Sequence, residues 1–112
     1  MYQKLLTKEV EALFEKYPYR SQEKVPNMEK KVLVKFFNPW GAGTWIICEA
    51  EKEGDDWCLW GYCSLGYGYE FGPVMLSELT ECQGTAGLRI ERDMYLKKDC
   101  KVGDLIKESD LM

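Results

Sequence analysis

The chain contains no histidine. That removes the commonest general base at neutral pH and every mixed cysteine–histidine zinc site. A structural zinc would need four thiolates. The spacing of Cys48, Cys58, Cys63, Cys82 and Cys100 suggests no such set, so no metal and no cofactor is expected. The cysteine count is odd and no signal peptide is recognisable. Met1-Tyr2-Gln3-Lys4 leads straight into a helix-like segment. Reduced thiols and a cytoplasmic setting are the expectation. No apolar run approaches the length of a membrane span. Excess positive charge is also missing: the net charge is −4 and the pI about 4.9. A chain that cannot displace phosphate counterions with lysine and arginine is a poor unaided nucleic-acid binder.

What is present is core material. Of the 112 residues, 46% are hydrophobic and 13% aromatic, enough for one folded domain over residues 1–112. Charge is distributed unevenly. Residues 1–38 balance to +3 and residues 39–112 to −7. The second part therefore offers an acidic face to a basic partner, beside the plainer reading of a solvated surface.

The chain is organised around Asn38-Pro39-Trp40-Gly41-Ala42-Gly43-Thr44-Trp45. It separates two strand-like runs, residues 31–37 and 44–51, rich in Val, Ile, Phe and Trp. Asn-Pro and Gly-x-Gly between such runs predict a hairpin with a long loop. Before it, Leu5, Leu6, Val10, Leu13 and Phe14 recur at helical spacing over residues 3–16. Thr7 is able to cap a later start, and Pro18 stops the helix near Tyr17.

After the hairpin, Gly54-Asp55 marks a corner. Residues 57–63 read as a central strand, with Gly61 at a bulge or close backbone approach. Residues 64–73 alternate glycine with aromatics, and the spacing fits neither the dinucleotide fingerprint nor the Walker pattern. Residues 71–76 form a fourth strand, and 77–82 a short helix capped by Ser77 and ended by Gly84. Residues 88–96 alternate as a fifth strand that places Arg92 on the apolar face. A buried guanidinium requires an anion, and Glu70, Glu49 and Asp93 are the candidates. A last short helix or turn covers residues 102–108, and the tail 109–112 is expected to fray. The fold class is α+β: four to five mainly antiparallel strands, the N-terminal helix on one face, short helices after the later strands.

Several segments together resemble a family catalogued as domain of unknown function 2958. They are Val32-Leu33-Val34-Lys35-Phe36-Phe37-Asn38-Pro39, Thr44-Trp45 followed by Glu49, and Gly61 with Glu70-Phe71-Gly72. Leu76-Ser77-Glu78-Leu79 and Gly87 through Leu96 complete the set. They span roughly residues 17–106. The resemblance implies a bacterial or phage intracellular protein of plasmids, prophages or conjugative elements. It implies no activity and assigns no catalytic residue.

Three functions fit these residues. The first is a non-enzymatic protein-binding factor of a mobile element, meeting a host or element-encoded protein such as a defence or DNA-processing complex. Asn38, Trp40, Thr44, Trp45, Tyr67 and Tyr69 would form its surface, since loop aromatics anchor interfaces. The second is a single-stranded nucleic-acid module stacking bases on Trp40, Trp45, Tyr67 and Tyr69, with Lys24, Lys30, Lys31 and Lys35 nearby. The third is an enzyme using carboxylates among Glu49, Glu70, Glu91 and Asp93. The plain alternative for Glu49, Glu70, Arg92 and Asp93 is a structural ion-pair network.

Overall fold

The computed structural model describes residues 4–112. Five antiparallel strands form one sheet: β1 Val34–Phe37, β2 Thr44–Glu53, β3 Asp56–Ser64, β4 Glu70–Met75 and β5 Glu91–Arg92. Their order across the sheet is β4-β3-β2-β1-β5. Helix α1 spans Lys8–Lys16 and helix α2 Leu76–Glu81. The α+β architecture expected from the sequence is thus the one observed.

Helix α1 begins where Thr7 predicts. Its side-chain oxygen accepts the Val10 N–H at 3.2 Å, which satisfies one orphan donor of the first turn. The helix expected over residues 3–16 is therefore shorter: residues 4–7 are not helical, and residue 3 lies outside the described residues. Val10 and Phe14 point from α1 onto Phe36, Ile47, Trp57 and Leu59, forming the first core. Burying a ring such as Phe14 is worth about 1.5–3 kcal/mol over leaving it exposed. A second core lies on the opposite face, where Val32, Ile46, Cys48 and Tyr62 meet Cys100, Val102 and Ile106. Because both faces are covered, β2 and β3 carry apolar runs with little clean alternation.

Register follows from the loops. Asn38 N–H donates to Gly43 O at 2.9 Å and closes the β1–β2 loop, where Gly43 takes φ of 143°. Between Ile47 and Glu49 the β2–β3 register slips by one residue. This bulge on β2 presses its backbone against Gly61, so any Cβ there would collide with the Ile46 carbonyl. The close approach expected at Gly61 is therefore real, and its cause lies on the neighbouring strand.

Four boundaries differ from expectation. Strand one starts at Val34, because Lys31 pairs with Lys101 and Val32 N–H donates to Cys100 O at 2.8 Å. Strand five shrinks to Glu91–Arg92. Asp93 Oδ1 accepts the Tyr95 N–H at 2.8 Å, an Asx turn that ends the ladder and leaves Met94 and Tyr95 exposed. Helix α2 starts at Leu76. Ser77 does not cap it but donates its hydroxyl to Asp56 Oδ2, while Glu78 Oε1 accepts the Met75 N–H at 3.1 Å. Gly84 does not end it either: its N–H donates to Leu88 O at 2.8 Å. The tail is paired rather than frayed, with Tyr69 bridged in parallel to Leu111.

Candidate functional site

The loop around Asn38 is built by its own side chains. Asn38 Oδ1 accepts the Trp40 N–H at 2.9 Å and its Nδ2 donates to Ala42 O at 3.2 Å. This loop and the 64–66 turn reach the same end of the sheet. A shallow depression of about 400 Å³ there is lined by Asn38, Gly41, Gly43, Thr44, Ser64 and Gly66, among others. The aromatics expected to crown it are not brought together. Trp40 packs on the first core, with its indole lying where a Cβ at Gly84 would sit. Trp45 turns inward beside Ile47 on the same core and packs over Gly43. Tyr69 packs on the second core with Leu111. Tyr67 alone stands out, 87% exposed. These four rings therefore make no common surface and no common stacking platform.

The structure gathers another set instead. Cross-strand pairing places Tyr62 opposite Phe71 and Trp60 opposite Pro73. Residues 60 and 62 share a face, so Trp60, Tyr62 and Phe71 converge beside the β4 edge. Tyr19 comes from the 17–22 loop and stacks on Trp60 with centroids 4.4 Å apart and planes at 29°. Phe71 lies 6.4 Å away on Trp60 and meets Tyr62 edge-on at 5.1 Å. Lys30 Nζ sits 4.6 Å from the Phe71 centroid, a cation–π contact. The sequence held half of this signal, the shared parity of Trp60 and Tyr62. Tyr19 carried none.

Glu49 explains how Tyr19 arrives. This carboxylate is buried. Oε1 accepts the Arg20 N–H at 2.9 Å and Oε2 the Gln22 N–H at 3.0 Å. Gln22, also buried, ties the same loop to Lys31 and Cys48: its amide donates to Lys31 O at 2.9 Å and Cys48 O at 2.8 Å, and its oxygen accepts Lys31 N–H at 2.7 Å. Arg20 is held at φ of 72°, a left-handed conformation that costs a non-glycine residue about 1–2 kcal/mol. A buried acceptor at its N–H offsets that cost.

The expected ion-pair network is corrected by topology. Arg92 lies on β5 opposite Phe36, on the α1 side. Glu70 lies on β4, the other edge, roughly 19 Å away at the usual strand spacing. Glu49 pairs with Trp60, on the face away from α1. Neither reaches Arg92. Asp93 makes an ion pair with Lys35 at 3.8 Å. Of the carboxylates proposed as acid–base partners, Glu91 and Asp93 share the β5 edge, while Glu49 on β2 and Glu70 on β4 lie apart from them.

Four of the thiols are shifted away from the thiolate. Burial pushes Cys48 up to about 12; the nearby Lys30 ammonium opposes this and the Glu49 carboxylate adds to it. Burial likewise raises Cys58, Cys63 and Cys100, where a nucleophile needs a lowered value. Among the described residues no three metal-ligating side chains gather, and no helix is long and apolar enough to cross a membrane.

Exposed apolar groups occur on β4 and in the turn before it, and a second set, Leu88, Met94 and Tyr95, lies around β5. Leu65, Tyr67 and Phe71 are 66%, 87% and 43% exposed, with Tyr19 at 45% on the adjoining ring stack. Leu65, Tyr67 and Phe71 border a hollow of about 600 Å³ that Gly68, Gly72, Pro73 and Met112 also line. No curated protein and no solved structure gives a significant match to this chain. One protein family does, over residues 5–110. With nearly its whole length matched, the chain belongs to the family described as protein of unknown function (DUF2958).

Proposed function

We propose that this chain is a protein-binding factor that meets its partner with the β4 edge and the ring stack beside it. The observation that carries this reading is that exposed Leu65, Tyr67 and Phe71 line one hollow, beside the ring stack that holds exposed Tyr19. Large rings held by their neighbours bury much area at small entropic cost. The acidic balance of residues 39–112 favours a partner with a basic rim. The mobile-element setting implied by the family resemblance makes a host defence or DNA-processing complex the partner to try first.

Two observations weigh against the other functions. Trp60 is stacked against Tyr19 and Phe71, and Trp40 and Trp45 pack on the first core, so the tryptophans expected to stack bases are engaged within the fold. Glu49, the most buried acid, has both oxygens engaged by backbone N–H groups.

The test is affinity capture from host cytosol with three baits: the unmodified chain, Tyr67→Ala/Phe71→Ala, and Tyr95→Ala as a surface control. A protein retained by the first and third but lost from the second, at unchanged melting temperature, supports the reading. No such protein overturns it. Quenching of tryptophan fluorescence by single-stranded oligonucleotides at low salt would favour nucleic-acid binding instead.

A further inference from the structure

The C-terminal residues make a parallel bridge to Tyr69, the residue before β4, through Leu111. Tyr69 N–H donates to Asp110 O at 2.8 Å, and Met112 N–H donates to Tyr69 O at 2.9 Å. Which backbone groups of β4 face this edge follows from one residue. Pro73 stands opposite Trp60 and has no N–H to give. That pair is therefore of the non-hydrogen-bonded kind, with its backbone groups turned away from β3. Parity then turns residues 69, 71, 73 and 75 outward together. Two independent contacts agree: Tyr69 meets the tail, and Met75 N–H meets Glu78 Oε1.

The outward groups that neither the tail nor Glu78 occupies are Phe71 N–H, Phe71 C=O and Pro73 C=O. A parallel strand in the tail's register would reach them in turn. Its alternate side chains would fall on the two faces already prepared. On one face Leu111 packs beside Tyr69 on the second core. On the other, Met112 lies over Gly68, so closely that no Cβ fits there. Four residues further along the same line comes Gly72, where a Cβ would find nothing within 4 Å. Gly68, Gly72 and Met112 line the hollow of about 600 Å³ described above.

We propose that the β4 edge is a strand-addition site, and that an extended segment of a protein partner replaces residues 110–112 there. This rests on the protein-binding reading and names the partner's chemistry. The segment runs parallel to β4. It carries an apolar residue at the Leu111 place and a second at the Met112 place, above the glycines. It is short, because Pro73 offers no N–H and Glu78 holds that of Met75. Main-chain bonds supply affinity and the alternate pockets supply specificity.

The test uses the full chain and a synthetic peptide copying residues 105–112. Leu111→Asp unseats the tail from the second core; Met112→Pro deletes the N–H that Tyr69 O accepts and leaves Leu111 in place. Amide exchange at Tyr69 should quicken by about tenfold or more in Leu111→Asp and by less in Met112→Pro, where the Tyr69 N–H bond to Asp110 O can persist, while Gly72, bonded toward β3, keeps its protection. Excess peptide should restore protection at Tyr69 and shift the amides of residues 65–73. A peptide with Ser at the Leu111 place should do neither. Equal Tyr69 exchange in all three chains, or a peptide without effect on these amides, overturns the proposal. A partner captured through Phe71 while the peptide stays inert at Tyr69 overturns strand addition and leaves the protein-binding reading standing.

Discussion

The buried carboxylate of Glu49 accepts the backbone N–H of Gln22 at 3.0 Å. Its other oxygen takes Arg20 N–H, so one side chain of β2 fixes the loop that delivers Tyr19 to Trp60. Glu49→Ala should cost about 3 kcal/mol, because two loop donors lose a charged acceptor. Glu49→Gln, which keeps one acceptor oxygen, should cost less. Urea unfolding measures both, and Trp60 emission should shift as Tyr19 leaves its ring. A loss below about 0.5 kcal/mol, the scatter of ordinary surface substitutions, would mean that water replaces the carboxylate freely.

The acid limb of stability should depend on Asp56. Its carboxyl is held below the usual range, first by the Ser77 hydroxyl and then by the backbone N–H groups of Trp57 and Ser77. A depressed folded value means that the contribution is complete above the unfolded value near 3.9. It is lost as pH falls through the lower folded value. Asp56→Asn should therefore lower the melting temperature near neutral pH and flatten its decline below about pH 4. Parallel curves for variant and parent down to strongly acid pH would show that the contact is spectator chemistry. Ser77→Ala should move the curve in the same direction by a smaller amount.

Trp40→Ala should behave as a packing mutation. The indole rests on the first core and fills the space above Gly84. Because the side chain is only half-buried, a loss of about 2–3 kcal/mol is expected, below the full cost of a core aromatic. Gly84→Ala should be destabilising for the same reason, since its Cβ would enter the ring. A Trp40→Ala chain that melts with the parent but fails in capture would restore Trp40 to the binding surface.

How far the sequence carries can be seen residue by residue. The hairpin about Asn38 and strands β2 and β3 are legible because long apolar runs are bounded by turn residues. Strand five is not. The alternation from Leu88 to Leu96 continues past Asp93, yet the Asp93 side chain bonds the Tyr95 N–H and bends the chain away. Propensity is local, and a single Asx turn overrides it. The choice of Glu70 as the partner of Arg92 failed for a different reason: strand order, which decides whether Glu70 is a neighbour, is invisible to pattern. The aromatic site shows the same limit. Glycine–aromatic alternation marks residues 64–73 as unusual, but Tyr19 joins Trp60 only through Glu49, a contact 29 residues apart in sequence.

Self-association at β4 is held in check by the edge itself. An edge strand with free N–H and C=O groups is a template for another copy of itself. Here three devices blunt it: Pro73 lacks the N–H, Glu78 takes that of Met75, and Asp110 with Met112 takes the groups of Tyr69. Pro73→Val restores one outward donor beside Phe71 and leaves the β3 pairing intact, because position 73 gives β3 no bond. Valine also suits a strand better than proline does. The variant should fold as stably as the parent or more so, yet sediment as a concentration-dependent mixture with dimer. Adding Glu78→Ala frees the Met75 donor and should strengthen that association. If both variants sediment as the parent does across the concentration range, the groups at 71 to 75 do not face outward. The parity argument built on Pro73 would then fail, and strand addition with it.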